Sequence, residues 1–140
     1  MLKLKLIGVG KTKEKWLHDG MNEYIKRLKS SVQIEAMWAK DDAQLMEWTQ
    51  KENHYLCMDP SGQTFTSEEF SLFLMRQWEA RGSRLTMVIG GAEGLKPELK
   101  QRGVLISLSP LTFTHQITRL VLIEQIYRAI EIDKGSLYHK

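Results

Sequence analysis

The residues of this chain that could carry acid–base or anion-binding chemistry lie near its C-terminus. His115 and Arg119 stand four positions apart at the start of a predicted helix, so their side chains share one face. An arginine in the first turns of a helix is poorly placed for the helix dipole, which favours a function such as contact with a phosphate or a carboxylate. The chain ends in Tyr138-His139-Lys140, where an aromatic ring, an imidazole and an ammonium group could stack on and contact RNA.

Two loops after predicted strands could bind a ligand. The pentapeptide Gly90–Gly94 follows the apolar run Leu85–Ile89, and its three glycines predict a backbone that bends sharply or approaches a neighbouring group closely. A glycine-rich turn at the C-terminal end of a strand is a favoured ligand position in α/β sheets. The run Ile106–Gln116 combines a strand end, a proline-fixed turn and a helix start. Its backbone groups that no longer pair within the sheet could bind a planar heterocycle such as adenine. The alternative interpretation is a simple strand-to-helix loop.

Two familiar nucleotide motifs are incomplete. The run Gly8–Thr12 imitates the end of a P-loop, but Lys5 stands where that pattern requires a glycine. Gly90–Gly94 lacks the spacing of a dinucleotide fingerprint. The sequence therefore disfavours ATP, GTP and a Rossmann-type cofactor, and the first motif is interpreted as a turn that ends a strand.

Length and composition predict one domain with one core, spanning residues 1–140. Of the 140 residues, 42% are hydrophobic and 26% are charged, which is typical of globular proteins. No apolar run reaches the length of a membrane span, and the N-terminus has no signal-peptide pattern, so we expect a cytoplasmic protein without a membrane partner. The single cysteine, Cys57, excludes an internal disulfide and a cysteine cluster for a metal, and its apolar surroundings predict a buried, inert thiol.

The charges are distributed unevenly although the net charge is only +3. Residues 1–30 hold eight Lys/Arg against three acids, whereas residues 31–60 hold two against six. The basic N-terminal segment could contact phosphates, or it is an ordinary solvated face.

Hydrophobic periodicity predicts five strands that alternate with five helices. Such strict alternation indicates an α/β fold with a mostly parallel sheet and helices on both faces. The predicted strands start at Leu2, Val32, Tyr55, Leu85 and Val104; the predicted helices cover about 13–29, 41–52, 67–82, 97–102 and 114–133. Thr66 and Glu69 form a capping-box pattern, and the turn 59–62 is expected to close the third strand.

The chain resembles the RlmH family, the small SPOUT-class methyltransferases that modify N3 of a pseudouridine in 23S ribosomal RNA. The resemblance rests on the combination of motifs and covers nearly the whole chain. The motifs are Leu6–Lys11, Gly90–Leu95, Leu108–Gln116, Arg119, Leu122–Ala129 and Tyr138–Lys140.

This resemblance implies a SPOUT fold with a C-terminal trefoil knot, a homodimer and S-adenosylmethionine as cofactor. It implies no metal. The cofactor contacts carried over by position are Met58, Gly90, Leu108, Ser109, Pro110, Leu111, Thr112 and Phe113. The tail of one subunit would lie near the methyl group and the target base of the other.

The expected substrate is 23S rRNA, within the assembled ribosome. The expected RNA-binding residues are His115, Arg119, Tyr138, His139 and Lys140. For the reaction, His139 is the candidate base because an imidazole titrates near neutral pH, and Arg119 or Lys140 could stabilise the imidate instead.

The chain departs from the family pattern in two places. Thr114 replaces the proline expected before the histidine, and threonine can still cap the helix. The segment between Trp38 and Tyr55 is shorter than expected, which bears on how RNA is gripped. Two alternatives stay open: an RNA-binding SPOUT protein without catalysis, and a methyltransferase for a different RNA site.

Overall fold

The computed structural model describes residues 1–140, in which five strands alternate with five helices. The strands are β1 Leu2–Val9, β2 Val32–Ala39, β3 Leu56–Gln63, β4 Arg84–Ile89 and β5 Val104–Ile106. The helices are α1 Lys15–Leu28, α2 Asp42–Gln50, α3 Ser67–Ala80, α4 Pro97–Arg102 and α5 His115–Lys134. The alternation predicted from the sequence is confirmed.

All five strands are parallel and form one sheet in the order β2-β1-β4-β3-β5. Because parallel strands point the same way, their C-terminal ends share one edge of the sheet, where α/β proteins usually bind ligands. The glycine-rich loop after β4 and the loop after β5 both start at this edge.

Helices cover both faces of the sheet, as predicted. One face carries α1, α3 and α5, whose buried apolar side chains pack with Leu4, Leu6 and Met87 into a core of 19 residues. The other face carries α2 and α4 over a smaller core of eight residues that includes Ile7 and Val88. Successive strand residues thus enter opposite cores, as the alternation of a pleated strand requires.

Cys57 belongs to the smaller core and is fully buried. Burial raises the pKa of its thiol to about 12, with a further contribution from Asp59, so the thiol stays protonated at neutral pH. The predicted inert role of this cysteine agrees with its position.

The predicted helix caps are present. Thr66 and Glu69 form the reciprocal hydrogen bonds of a capping box at the start of α3. The Thr114 side chain accepts a hydrogen bond from the amide of Ile117 and so caps α5. Thr114 therefore supplies a cap where the family pattern has proline.

The C-terminal ends of two strands differ from the prediction, and the predicted starts of β3 and β4 are each displaced by one residue. The predicted turn 59–62 does not close β3; it forms a bulge, because Met58 and Gln63 both pair with Ile106. A Cβ on Gly62 would lie 2.5 Å from the backbone of Leu105 and Ile106, so glycine permits this close crossing. The run of residues 104–108 predicts a fifth strand that ends at Leu108, but β5 ends at Ile106, so residues 107–108 belong to the loop.

None of the helices combines the length and apolar composition needed to cross a membrane. The trefoil knot implied by the family resemblance stays a prediction.

Candidate active site

A cavity of about 740 Å³ opens at the C-terminal edge of the sheet, a volume typical of small-molecule sites. Three segments form most of its wall: Met58–Pro60 in β3, Ile89–Leu95 after β4, and the loop from Ser107 into the start of α5. The two loops singled out in the sequence therefore face the same space.

The glycine-rich loop folds tightly on itself. The Gly94 amide donates to the Gly91 carbonyl at 3.0 Å, and Gly94 adopts a φ of +81°. A Cβ on Gly90 would lie 2.6 Å from the Gly94 carbonyl carbon and 2.9 Å from the Leu95 nitrogen. Gly90 is thus required by the loop's own backbone, which shapes the cavity wall.

Serine side chains fix the loop after β5. The Ser107 hydroxyl donates to the Ser109 carbonyl at 3.0 Å, and the Ser109 hydroxyl accepts from the Leu111 amide at 2.9 Å. The amides of Leu108, Thr112 and Phe113 donate to no other group of the chain. These free donors beside apolar side chains suit a heterocycle that offers ring-nitrogen acceptors.

Asp59 and Lys100 form an ion pair on the cavity wall, with their nearest charged atoms 3.3 Å apart. Burial raises the pKa of Asp59, but hydrogen bonds from Ser61 and Lys100 outweigh burial and leave that pKa below its usual value. The wall therefore carries this pair of opposite charges, together with the exposed acid Glu93 of the glycine-rich loop. The sequence analysis did not predict this ion pair, although Asp59 directly follows Met58, which was predicted to contact the cofactor.

His115 lies on the cavity wall at the first residue of α5. Burial lowers its pKa, and the positive charges of Arg119 and Lys13 lower it further. The imidazole is therefore neutral at pH 7 and offers a hydrogen-bonding group rather than a cation.

Arg119 is completely buried and lies outside the cavity wall. Its guanidinium donates to the carbonyls of Val9 and Gly10 at 2.7 Å each, donates to the Thr12 hydroxyl at 3.0 Å, and lies 3.8 Å from the Trp38 ring centroid. Burial lowers its pKa to about 10, so it stays charged at neutral pH. This burial contradicts the expected contact with a phosphate or carboxylate: Arg119 instead fastens the loop after β1 to α5.

Gln116 strengthens the same attachment. Its amide side chain donates to the Lys11 carbonyl and accepts from the Lys13 amide, both at 3.1 Å. Lys11 and Lys13 form no ion pair within the chain, and their loop lies beside His115. The backbone of this lysine-containing loop is thus held beside the start of α5.

The C-terminal tail packs against α5 and α3 of its own chain. Tyr138 donates its hydroxyl proton to Glu124 at 2.9 Å, and its ring lies 4.7 Å from that of Tyr127. His139 places Nε2 2.6 Å from Glu68 and Nδ1 3.0 Å from Arg128. Because arginine only donates, Nδ1 accepts this hydrogen bond and Nε2 carries the proton that faces Glu68.

Glu124 and Arg128 stand four positions apart on α5, a spacing that predicts a surface ion pair, but their contacts in the fold go further. Arg128 binds Glu124 through both Nε and Nη2, at 3.2 and 3.1 Å, and the side chains are only 19% and 25% exposed. Together with Glu68 they anchor the tail. The spacing of Glu124 and Arg128 indicates their ion pair, but only the fold shows that Tyr138 binds Glu124 and that His139 binds Arg128.

Most predicted cofactor residues meet at the cavity, and the predicted catalytic residues do not. Seven of the eight cofactor positions line the wall; the exception is Pro110, which lies in the loop and is exposed. His115 also lines the wall, whereas Arg119, Tyr138, His139 and Lys140 lie outside it. No group of three or more His, Cys, Asp or Glu side chains is placed to hold a metal ion.

Comparison with known proteins gives consistent matches over the full chain. The family described as "Predicted SPOUT methyltransferase" matches residues 2–139. A protein of Protochlamydia amoebophila named "Ribosomal RNA large subunit methyltransferase H" is 67% identical over 140 residues, covering all of both chains.

Proteins of the same name from Symbiobacterium thermophilum and Enterococcus faecalis are 37% and 40% identical, covering 99% of this chain and all of theirs. Those two alignments extend over 161 and 159 positions, so these relatives contain segments that the present chain lacks.

Proposed function

The chain belongs to the SPOUT methyltransferase family, and from this membership and the cavity we propose that it is an S-adenosylmethionine-dependent methyltransferase of large-subunit ribosomal RNA. The 67% identical relative of equal length, named as such an enzyme, supports this substrate class. The finer proposal is methylation of N3 of a pseudouridine in 23S rRNA, on the assembled ribosome.

The observation that carries the proposal is the meeting of two loops over one cavity at the sheet edge. The free amides of Leu108, Thr112 and Phe113 suit the ring nitrogens of adenine, and Met58 and Phe113 offer apolar contact. Asp59 and Lys100 provide one charge of each sign for a ligand that carries an ammonium and a carboxylate group. The residues present therefore fit the cofactor.

The protein's contribution to the reaction is mainly positioning. S-adenosylmethionine supplies an already activated methyl group when bound, so the chain has to hold that group in line with a ring nitrogen. The loops of Gly90–Leu95 and Ser107–Phe113 hold the cofactor. Lys13, whose positive charge acts on His115 of the cavity wall, and Lys11 of the same loop would attract the RNA backbone.

A homodimer would complete this site. The tail lies away from the cavity of its own chain, against Glu68 and Glu124. We propose that in the dimer Tyr138, His139 and Lys140 of one subunit face the cavity of the other. This arrangement also explains how residues so far from the cavity could act on the target base.

The target imide nitrogen must lose a proton before or during methyl transfer. His139 is the proposed base, and Lys140 the proposed stabiliser of the imidate. Nδ1 of His139 is the nitrogen with an available lone pair, but it accepts a hydrogen bond from Arg128. His139 must therefore leave Arg128 before it can accept a proton. Arg119 is buried, so its role is to position the Lys11–Lys13 loop.

Mass mapping of ribosomal RNA tests the proposed activity, substrate and position together. A strain that lacks the gene should lose one methyl group from 23S rRNA, and a plasmid copy of the gene should restore it. An unchanged methylation map would exclude this function. Loss of a methyl group from another RNA or another position would show that the proposed substrate is wrong.

Calorimetry separates the enzyme from a non-catalytic RNA-binding protein. The enzyme should bind S-adenosylmethionine at micromolar to low millimolar concentration. RNA binding without any cofactor binding would support the non-catalytic alternative.

A further inference from the structure

A second cleft, of about 540 Å³, lies at the opposite end of the strands from the cavity. Its floor is the face of the sheet that carries α2 and α4, but these helices cover that face only near the C-terminal ends of the strands. Alternating residues of three strands form this floor: Lys3 and Lys5 of β1, Gln33 and Glu35 of β2, Arg84 and Thr86 of β4.

Three of the four cations in the cleft have no counterion. The cleft contains four Lys/Arg residues, Lys3, Lys5, Arg81 and Arg84, against two acids. One acid, Glu52, is already occupied: it pairs with Lys5 at 3.2 Å and accepts from Thr86 at 2.7 Å. The other acid, Glu35, forms no ion pair. Lys3, Arg81 and Arg84 are exposed and form none either.

Two of these cations are neighbours on adjacent strands. Lys3 lies directly opposite Arg84 in the register of β1 and β4. Like charges at opposite positions of neighbouring strands destabilise a sheet. A phosphate group between them would remove this repulsion, because it accepts hydrogen bonds from both side chains.

A strained turn places the arginines at the cleft. Gly82 and Ser83 have φ values of +64° and +66°, and Ser83 is the only non-glycine residue of the chain with a positive φ. Hydrogen bonds of 2.8 Å from Ser83 to Trp78 and from Lys3 to Ser83 hold the turn, with Arg81 before it and Arg84 after it. Strained backbone of this kind tends to occur at functional sites.

We propose that this cleft binds phosphate groups of the RNA substrate's backbone, an inference that rests on the proposed function. Its open, exposed shape and its net charge of two positive units suit a polyanion. The cleft lies roughly 20 Å from Gly90, the length of β4 at about 3.3 Å per residue. It therefore contacts RNA away from the target base and strengthens binding without taking part in methyl transfer.

The test replaces Lys3→Gln together with Arg84→Gln in the full-length protein and measures its affinity for purified 23S rRNA over a range of salt concentrations. The matched control replaces Lys26→Gln together with Arg76→Gln, two exposed cations of α1 and α3 on the other face of the sheet. The loss of two phosphate contacts should weaken binding roughly tenfold at about 0.1 M salt and reduce the slope of log affinity against log salt by about 1.4. The control should change both quantities less.

Three further readouts decide the interpretation. The rRNA concentration for half-maximal methyl transfer should rise with the binding constant while the rate at saturating rRNA stays unchanged. The melting temperature of the cleft variant should not fall, because a repulsive pair is removed. Equal affinities and slopes for the cleft variant and the control would overturn the proposal.

A small-anion site is the other outcome that would overturn it. Inorganic phosphate that binds the wild-type cleft, with rRNA affinity equal in variant and control, would assign free phosphate instead. RNA binding is measured without the cofactor, so it tests the cleft alone. Absence of methyl transfer by the wild-type protein would instead count against the proposed function. Failure of the cleft proposal and failure of the proposed function are therefore distinguishable.

Discussion

At the scale of single residues, the side chains that matter are defined by what they touch. Gly90 matters because a side chain at this position would collide with the backbone of Gly94 and Leu95. Arg119 matters because three oxygen acceptors and the ring of Trp38 surround it. Both residues shape loops at the cavity without themselves supplying a reactive group.

Replacing Gly90→Ala should disrupt the cofactor loop. The new Cβ would lie 2.6 Å from backbone that cannot move independently, so the loop must shift. We expect at least tenfold weaker binding of S-adenosylmethionine, about 1.4 kcal/mol, in calorimetry. Gly91→Ala is the matched control, because its Cβ would meet the Val9 side chain at an ordinary 3.7 Å. Equal affinities for the two variants would refute this role of Gly90.

Replacing Arg119→Leu should destabilise the fold. The carbonyls of Val9 and Gly10 would lose their buried donor, which costs about 2–4 kcal/mol in the free energy of unfolding. Denaturant unfolding measures this loss. The exposed Arg76→Leu should change stability by less than about 0.5 kcal/mol. A stable Arg119→Leu protein with weakened RNA binding would restore the direct contact expected from the sequence.

The stability of the protein should fall in alkali partly because of Cys57. Its thiol ionises near pH 9.0 in the unfolded chain but only near 12 in the folded one, so its contribution is complete below pH 9 and is lost as the pH rises toward 12. Unfolding midpoints from pH 8 to 11 should decline more steeply in the wild type than in Cys57→Ala. Parallel declines would mean that the thiol is not shielded.

At the scale of elements, sequence periodicity predicted the order of all ten helices and strands because each buried face leaves a local pattern. The predicted caps at Thr66 and Thr114 are confirmed for the same reason. The predicted end of β3 was wrong. Residues 59–62 favour a turn locally, but pairing with β5 continues the strand beyond a bulge. Such pairing partners are distant in sequence.

The site could be predicted only in part for a similar reason. The loops Gly90–Leu95 and Leu108–Phe113 carry recognisable residues, and the structure brings them together. Burial of Arg119 depends on Val9, Gly10 and Trp38, which lie 80 or more positions away in the chain. No local pattern reports such contacts. Likewise, the contact of His139 with Glu68 joins residues 71 positions apart.

The contacts that hold the C-terminal tail against its own chain can be tested by a single substitution. Tyr138→Phe keeps the ring contact with Tyr127 but removes the hydrogen bond to Glu124, which should cost about 1 kcal/mol of tail docking. Carboxypeptidase should therefore remove the last residues several times faster than in the wild type. Leu137→Ala is the control, because that side chain is 85% exposed. Equal digestion rates would show that Glu124 does not hold the tail.

At the scale of the whole molecule, the proposals assign different tasks to the two ends of the strands in one parallel sheet. The C-terminal edge carries the cavity and the loops that suit the cofactor. The opposite end carries the cleft in which Lys3, Arg81 and Arg84 form no ion pair. A small chain can thereby separate the groups that position the methyl donor from groups that hold RNA, and a dimer would double both surfaces.

The most direct test of the account is transfer of a labelled methyl group from S-adenosylmethionine to ribosomes isolated from a strain without the gene. Purified wild-type protein should methylate 23S rRNA at one pseudouridine, close to one methyl group per ribosome. The Gly90→Ala variant should transfer at least tenfold more slowly at limiting cofactor, and the Gly91→Ala variant should resemble the wild type. Wild-type protein that binds the ribosomes but transfers no methyl group to their RNA would contradict the account.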